Sequence, residues 1–162
     1  MRPLVLAILL ALGVSGCGFT PLYGTPGVAS GLTAIQVSTP EGRVGALLRE
    51  HLDDVLGHNG AVPPTYRLTT TLGEQRYPRG IRIDNVATRY EYVLVVDYAL
   101  TPVGGNLKAA RTGKVRVEVT YDSADQPYAS VAAQQDAQNR ATGEAARRIE
   151  LELATWFARP GT

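Results

Sequence analysis

The chain has 162 residues, enough for one ordinary globular domain and too few for two comfortable ones. Sixteen basic residues against fifteen acidic ones leave a net charge of +1, which argues against a nucleic-acid-binding protein and against an acidic solvating tail. An apolar fraction of 44% with 19% charged residues is typical of a globular protein and excludes an intrinsically disordered one.

An export signal opens the chain. The apolar run of residues 4–12 has about half of the 20 residues that a membrane-spanning helix needs, so it indicates a signal peptide. It is followed by Val14-Ser15-Gly16-Cys17, which resembles the bacterial lipobox, where a cysteine thiolate takes up a diacylglyceryl group. We predict that residues 1–16 are removed and that Cys17 is lipidated. The alternative is a buried free thiol or an intermolecular disulfide at Cys17.

The residues after Cys17 predict the location and the tether. Two or three acyl chains, palmitate among them, bind a membrane stably where one chain binds only marginally. Position 18 is glycine instead of the aspartate that retains many lipoproteins at the inner membrane, so we expect an outer-membrane lipoprotein, anchored on the periplasmic side. Residues 17–31 are rich in glycine and proline and predict a flexible lipidated tether.

A strand and a helix are predicted next. Residues 32–38 alternate in the manner of a short strand, and Thr39-Pro40-Glu41 has the residue types of a helix start. Apolar residues then recur at spacings of three and four, and residues 57–60 end the helix with two glycines. The apolar positions of this helix are Val44, Leu47, Leu48, Leu52, Val55 and Leu56.

Three strands and a long helix complete the predicted elements. Residues 66–72 alternate, and "ATRYEYVLVVDYAL" at 87–100 is the strongest strand pattern in the chain. A turn at 101–106 leads into "KAARTGKVRVEVTY", so the two long strands are expected to form an antiparallel hairpin. Residues 128–158 predict a long helix whose apolar stripe is strongest at its end.

These elements predict an α+β fold with the order βαβββα. A strand joined to the next through a helix indicates a parallel crossover, and the other strands can add as an antiparallel meander. Each helix has one apolar stripe, so we expect a two-layer sandwich with two helices on one face of a mixed four-stranded sheet. The single domain is predicted over residues 32–158.

The sheet face opposite the helices contains two candidate partner-facing residues. If Leu94 and Val96 face the helices, Val93 and Val95 lie on the other face beside charged residues. A partner or an acyl chain could cover these valines, although isolated exposed apolar side chains are also normal.

Local charge provides a second group of candidates. Residues 76–116 contain eight basic and three acidic residues, a balance of 8 − 3 = +5. Arginine suits phosphate through its planar fork of donors. The candidates for an anionic ligand are Arg76, Arg79, Arg82, Lys108, Arg111 and Lys114. In a hairpin these residues form two groups at opposite ends of the strands, and they could equally serve to keep an edge strand soluble.

Catalytic patterns are not visible in the chain. It has one cysteine and two histidines, and it has neither a nucleophile elbow nor a phosphate-binding glycine loop. We therefore expect no enzyme, no cofactor and no metal. The long strands also lack the aromatic motifs of an RNA-binding sheet, so no nucleic-acid partner is expected.

Three segments in order resemble one protein family. "GCGFTPLYG", "ATRYEYVLVVDYAL" and "YDSADQPYASVAAQQDAQNRA" are similar to the lipopolysaccharide-assembly lipoproteins of the LptE family, in their alphaproteobacterial form. The resemblance implies the two-helix, four-strand fold and a non-enzymatic partner of the LptD β-barrel. Such a partner plugs the barrel, assists its assembly and binds lipopolysaccharide.

In that setting the barrel wall would cover Val93 and Val95. The competing hypothesis is a periplasm-facing lipoprotein that acts as a scaffold or accessory subunit of another envelope complex.

Overall fold

The computed structural model describes residues 26–58, 60–81, 87–104, 110–123 and 126–159. Their elements in chain order are α1 (Val28–Thr33), β1 (Ile35–Ser38), α2 (Arg43–Leu56), β2 (Tyr66–Ile81), β3 (Ala87–Pro102), β4 (Arg111–Asp122) and α3 (Pro127–Phe157). The predicted signal peptide, Cys17 and most of the predicted tether lie outside the described residues, as do Arg82 and Lys108.

The predicted fold class is confirmed. The four strands lie in the order β1-β2-β3-β4, with β1 parallel to β2 and the other pairs antiparallel. Helices α2 and α3 pack on the same face, because Leu52 and Ile149 share one buried cluster with the sheet residues Leu68, Leu94 and Val117. Every strand thus has one face toward the helices and one open face.

The helix α1 was not predicted. It crosses the predicted boundary between tether and domain at residue 31, and its residues Val28 and Leu32 are buried in the core. Gly31 allows a close approach to the end of α3, since a Cβ there would lie 2.9 Å from the ring of Phe157. The glycines of this segment indicated a flexible tether, but one of them permits packing.

The helix α2 begins at Arg43, later than the predicted start at residues 39–41. Gly42 precedes it with φ 111°, a conformation that other residues rarely adopt. Gly45 lies against the Pro40 carbonyl oxygen, so residues 39–42 fold back over the first turn instead of joining it. The predicted helix end is confirmed, because Gly57 has φ 67° and the His58 amide donates to the Asp53 carbonyl at 3.0 Å.

The strand β2 is more than twice as long as the alternating segment at 66–72 that predicted it. It continues to Ile81, and residues 70–81 lie beyond the short strand β1, which pairs only with Tyr66–Thr69. Residues 73–79 are exposed, so no apolar alternation marks them in the sequence. Among the described helices, none combines the length and the apolar character required to cross a bilayer.

Candidate functional site

The open sheet face is polar and extensively ion-paired. Its charged pairs are Arg79–Glu91, Arg89–Asp122, Lys114–Asp97 and Arg116–Glu118, with N···O distances of 2.8, 2.8, 3.0 and 2.8 Å. Alternation along the strands puts seven of these side chains opposite the helix layer. Arg79 lies at a register shift of β2 and reaches the same face through its ion pair with Glu91. The face therefore has both signs of charge, spread over three strands.

Val93 is fully buried on this open face. It lies between Gln75 on β2 and Glu118 on β4, outside the helix-side core. The Arg79 guanidinium donates two hydrogen bonds to Glu91, at 2.8 and 3.0 Å, and this contact lowers the pKa of the Glu91 carboxyl, with a smaller effect from Arg116. The valine that the sequence had placed at a partner surface therefore has no accessible surface in the isolated chain.

Val95 remains half-buried on the same face. It lies opposite Gly73 on β2, where no side chain covers it, and opposite Arg116 on β4. Of the two predicted partner-facing valines, Val95 is therefore the one with accessible surface.

The described basic candidates do not form one patch. Arg76 and Arg111 lie on the helix side of the sheet, whereas Arg79 and Lys114 lie on the open face. Along β3, Arg76 lies opposite Tyr92, whereas Lys114 and Arg111 lie opposite Asp97 and Leu100. Arg76 is therefore separated from those two residues by about 15–25 Å at 3.3 Å per residue. The expectation of two groups at opposite ends of the strands agrees with this geometry.

Each described basic candidate already has a partner. The Arg76 guanidinium lies 4.7 Å from the centre of the Tyr90 ring and donates to Gln134 at 3.1 Å. Arg111 is 3.6 Å from Glu152, and Lys114 is 3.0 Å from Asp97. An anionic ligand would have to compete with these contacts or bind beside them.

Two tyrosines on the helix side are hydrogen-bonded to carboxylates. Burial and the hydrogen bond from its hydroxyl to Glu152 raise the pKa of Tyr98 to about 12. Tyr92 donates to Glu74 at 2.7 Å, and burial together with this bond raises its pKa as well. These bonds fix β3 against β2 and α3, a structural role that the alternating tyrosines of the sequence did not reveal.

Sequence reasoning also missed a basic cleft and a groove. A cleft of about 480 Å³ between α3 and β4 is lined by Arg140, Arg147 and Arg148, beside His51 and Glu144. The spacing of these arginines, seven and eight residues along α3, could have indicated from the sequence that they share one helix face. The groove, of about 510 Å³, lies on the open face near Ala99 and Lys114 and is edged by three threonines.

The part of the chain that the structure describes contains no cluster of three histidine, cysteine, aspartate or glutamate side chains arranged to hold a metal ion.

The family model for lipopolysaccharide assembly, LptE, matches residues 32–153. The chain belongs to the LptE family. The resemblance stated from three sequence segments is thereby confirmed, and membership places the chain among the lipoproteins of lipopolysaccharide assembly in the cell envelope.

Solved structures agree with this membership. A lipoprotein candidate from Caulobacter crescentus CB15 is 52% identical, with 83% of this chain and 99% of that one covered and a TM-score of 0.71. Rare lipoprotein B from Shewanella oneidensis is 18% identical, covering 75% of this chain and 92% of that one with a TM-score of 0.56.

Lipoprotein B from Nitrosomonas europaea is 13% identical, with coverages of 75% and 82% and a TM-score of 0.55. At these low identities the Shewanella and Nitrosomonas structures support the LptE fold alone. No match was found among curated proteins.

Proposed function

We propose that this LptE-family chain is an outer-membrane lipoprotein that partners and plugs the LptD β-barrel. In this role it assists barrel assembly and the insertion of lipopolysaccharide into the outer leaflet, without catalysis and without a cofactor. Cys17 anchors it on the periplasmic side. The observation that carries the proposal is the family match over residues 32–153.

The open sheet face is compatible with a barrel lumen. The interior of a membrane β-barrel is polar, in contrast to its lipid-facing exterior. A domain seated there needs a polar surface whose charges are balanced, because unpaired charges lose solvation against a protein wall. The pairs Arg79–Glu91 and Lys114–Asp97 supply that balance on the face that no helix covers.

A periplasm-facing scaffold or accessory subunit is the second candidate. It requires a polar open face toward water, and the burial of Val93 together with the ion pairs of this face is compatible with that requirement. The two valines therefore do not separate the hypotheses, and the family match favours the barrel.

Affinity purification of the tagged full chain from detergent-solubilised membranes tests the plug. We expect a large β-barrel protein to co-purify. The plug proposal fails if LptD purified from the outer membrane has none of this protein, and a different envelope complex in the eluate would support the second candidate.

Charge reversal tests the basic candidates for lipopolysaccharide. Reversal of the first group changes Arg76, Arg79 and Arg82 to glutamate, and reversal of the second changes Lys108, Arg111 and Lys114. Binding is measured in vitro at two salt concentrations, since electrostatic affinity decreases with ionic strength. The control is Arg43→Glu, an exposed arginine of α2 that lies outside both groups and outside the basic cleft.

We expect reversal of at least one group to weaken binding more than the control does. Unchanged affinity in both group variants would reject these residues as ligands while leaving the plug proposal standing.

The lipid anchor has its own test. Mass spectrometry of the mature chain should show an acylated amino terminus at Cys17 and the loss of 16 residues, and Cys17→Ala should remain unprocessed. Recovery of an unmodified thiol at Cys17 in the wild-type chain would reject lipidation.

A further inference from the structure

The two edges of the sheet differ in how they are covered. At the outer edge of β4, Arg148 of α3 donates to the Arg116 carbonyl at 3.0 Å, and Arg140 donates to the Thr120 carbonyl at 3.4 Å. An incoming strand would have to displace these side chains to pair with the backbone there.

The outer edge of β2 lacks such cover over most of its length. The strand β1 pairs with Tyr66–Thr69, and no other strand among the described residues pairs with β2 on that side. Regular pairing of β2 with β3 nevertheless continues to Pro78, where the register shifts. The segment Gly73–Tyr77 is therefore a regular, exposed strand with an available edge, the kind of edge that accepts another strand.

We propose that this edge pairs with the same edge of a second copy, antiparallel and symmetric about Gln75. In an antiparallel pair, two directly opposite residues either both direct their backbone N–H and C=O groups at the partner strand or both direct them away from it. Along one strand, these two orientations alternate from residue to residue. A two-fold symmetric pair must therefore be centred on one residue, which faces itself across the axis. This condition leaves only a few registers for the exposed segment.

Charge selects among these registers. A centre on Glu74 or on Arg76 puts like charges directly opposite each other, which is destabilising. A centre on Gln75 puts Glu74 opposite Arg76 of the second copy, and the symmetry repeats this pair. The same register puts Gly73 of one copy opposite Tyr77 of the other, so the largest side chain of the segment lies across from glycine, which has no side chain. A centre on Gly73 forms no charge pair.

The side chains of Glu74 and Arg76 are already held in place by hydrogen bonds to neutral groups, which do not neutralise their charges. Glu74 accepts hydrogen bonds from Tyr92 at 2.7 Å and from Gln138 at 3.3 Å. Arg76 donates to Gln134, which is also neutral. Both side chains are exposed on the helix side of the sheet, so cross-strand pairing adds an opposite charge to each without removing its present partners.

This pairing does not depend on the proposed function. A copy enclosed in a barrel has no room for a second copy, so the paired form would belong to the lipoprotein before it joins a partner. Failure of the pairing would leave the plug proposal untouched, and the converse also holds.

A cysteine at the symmetry centre tests the register. In Gln75→Cys the two thiols lie on directly opposite residues, whose Cα atoms are about 5 Å apart in such pairs, within disulfide range. In the control Tyr77→Cys, also exposed and on the same face, the two cysteines are offset by four residues, about 13 Å. The full chain is expressed in its membrane and oxidised with copper phenanthroline, with the unsubstituted chain as the background for Cys17.

We expect a product of twice the chain mass for Gln75→Cys and at least tenfold less for Tyr77→Cys. Equal yields from the two variants, no product from Gln75→Cys, or a product of any other mass would overturn the proposal.

Charge reversal in the Gln75→Cys background tests the complementarity. Glu74→Arg puts four positive charges at the contact and Arg76→Glu puts four negative ones, so each variant alone should lose most of the crosslink. Coexpression of the two, with different tags, should restore a crosslink between the tags, because every arginine then faces a glutamate. No restoration, or no loss in the single variants, would contradict the proposal. Restoration also demonstrates that both variants are folded.

Discussion

The environment of Gly113 leads to a specific prediction about stability. Gly113 lies opposite Tyr98, and a Cβ at this glycine would lie 2.4 Å from Cζ and from the hydroxyl oxygen of Tyr98. Gly113→Ala must therefore displace the tyrosine ring. In an ordinary strand position the same change is favourable by about 0.5–1 kcal/mol, because it reduces the freedom of the unfolded chain.

The expected cost is the sum of two effects. Overpacking of a buried site costs about 1–3 kcal/mol. Loss of the hydrogen bond from Tyr98 to the Glu152 carboxylate costs about 1.5–3 kcal/mol. After the backbone gain is subtracted, we expect Gly113→Ala to lower the free energy of unfolding by about 1.5–5.5 kcal/mol.

Urea unfolding of the mature chain, followed by fluorescence of Trp156, measures this change. Trp156 is the only tryptophan and packs edge-on against Tyr66 and Phe157, so its emission reports on the core. The matched control is Gly73→Ala, where the new Cβ meets Val95 at 3.8 Å, an ordinary contact. The control should be neutral or slightly stabilising.

A double-mutant cycle identifies the cause. With Tyr98→Leu already present, Gly113→Ala should cost at least 1.5 kcal/mol less than in the wild-type chain, because the ring is gone. Equal urea midpoints for Gly113→Ala and Gly73→Ala, or an unchanged cost in the Tyr98→Leu background, would refute the reasoning.

Three further predictions concern pH and the core. The folded-state pKa of Tyr98 is raised to about 12 from 10, so its contribution to the free energy of unfolding is complete below pH 10 and is lost as pH rises toward 12. Tyr98→Phe should therefore make the urea midpoint depend less on pH between 10 and 12. The folded-state pKa of Glu91 is lowered from 4.5, so its contribution to the free energy of unfolding is present above that pH and is lost as pH falls. Arg79→Gln should therefore reduce the decrease of the urea midpoint with falling pH below 4.5. Leu52→Ala should cost about 2–5 kcal/mol in urea unfolding, whereas the exposed Leu151→Ala should cost less than about 0.5 kcal/mol; equal costs would contradict the assigned core.

The α+β class and the element order were predictable because the buried segments have clear periodicity. Alternation over residues 87–100 and the three-four spacing of residues 44–56 each put apolar side chains on one face, and the helix side of the sheet buries them as expected. Burial is what produces such patterns, so elements that pack against the core are visible in the sequence.

The second half of β2 and the helix α1 were not predictable by the same reasoning. Residues 73–79 are exposed, and their strand conformation depends on hydrogen bonds to β3 that leave no apolar pattern. In α1 the buried residues Val28 and Leu32 lie among glycines, whose packing role depends on the distant Phe157.

The candidate site shows the same division. The amino-acid sequence alone determined how many charges lie between residues 76 and 116 and that the two groups of basic residues would be separated along a hairpin. Only the tertiary structure decided which charges face the helices, which pair with Glu91 or Asp97, and that Val93 is fully buried while Val95 is only half-buried. The physical reason is that strand alternation assigns a side chain to a face, whereas its partners come from neighbouring strands whose register is set by the whole sheet.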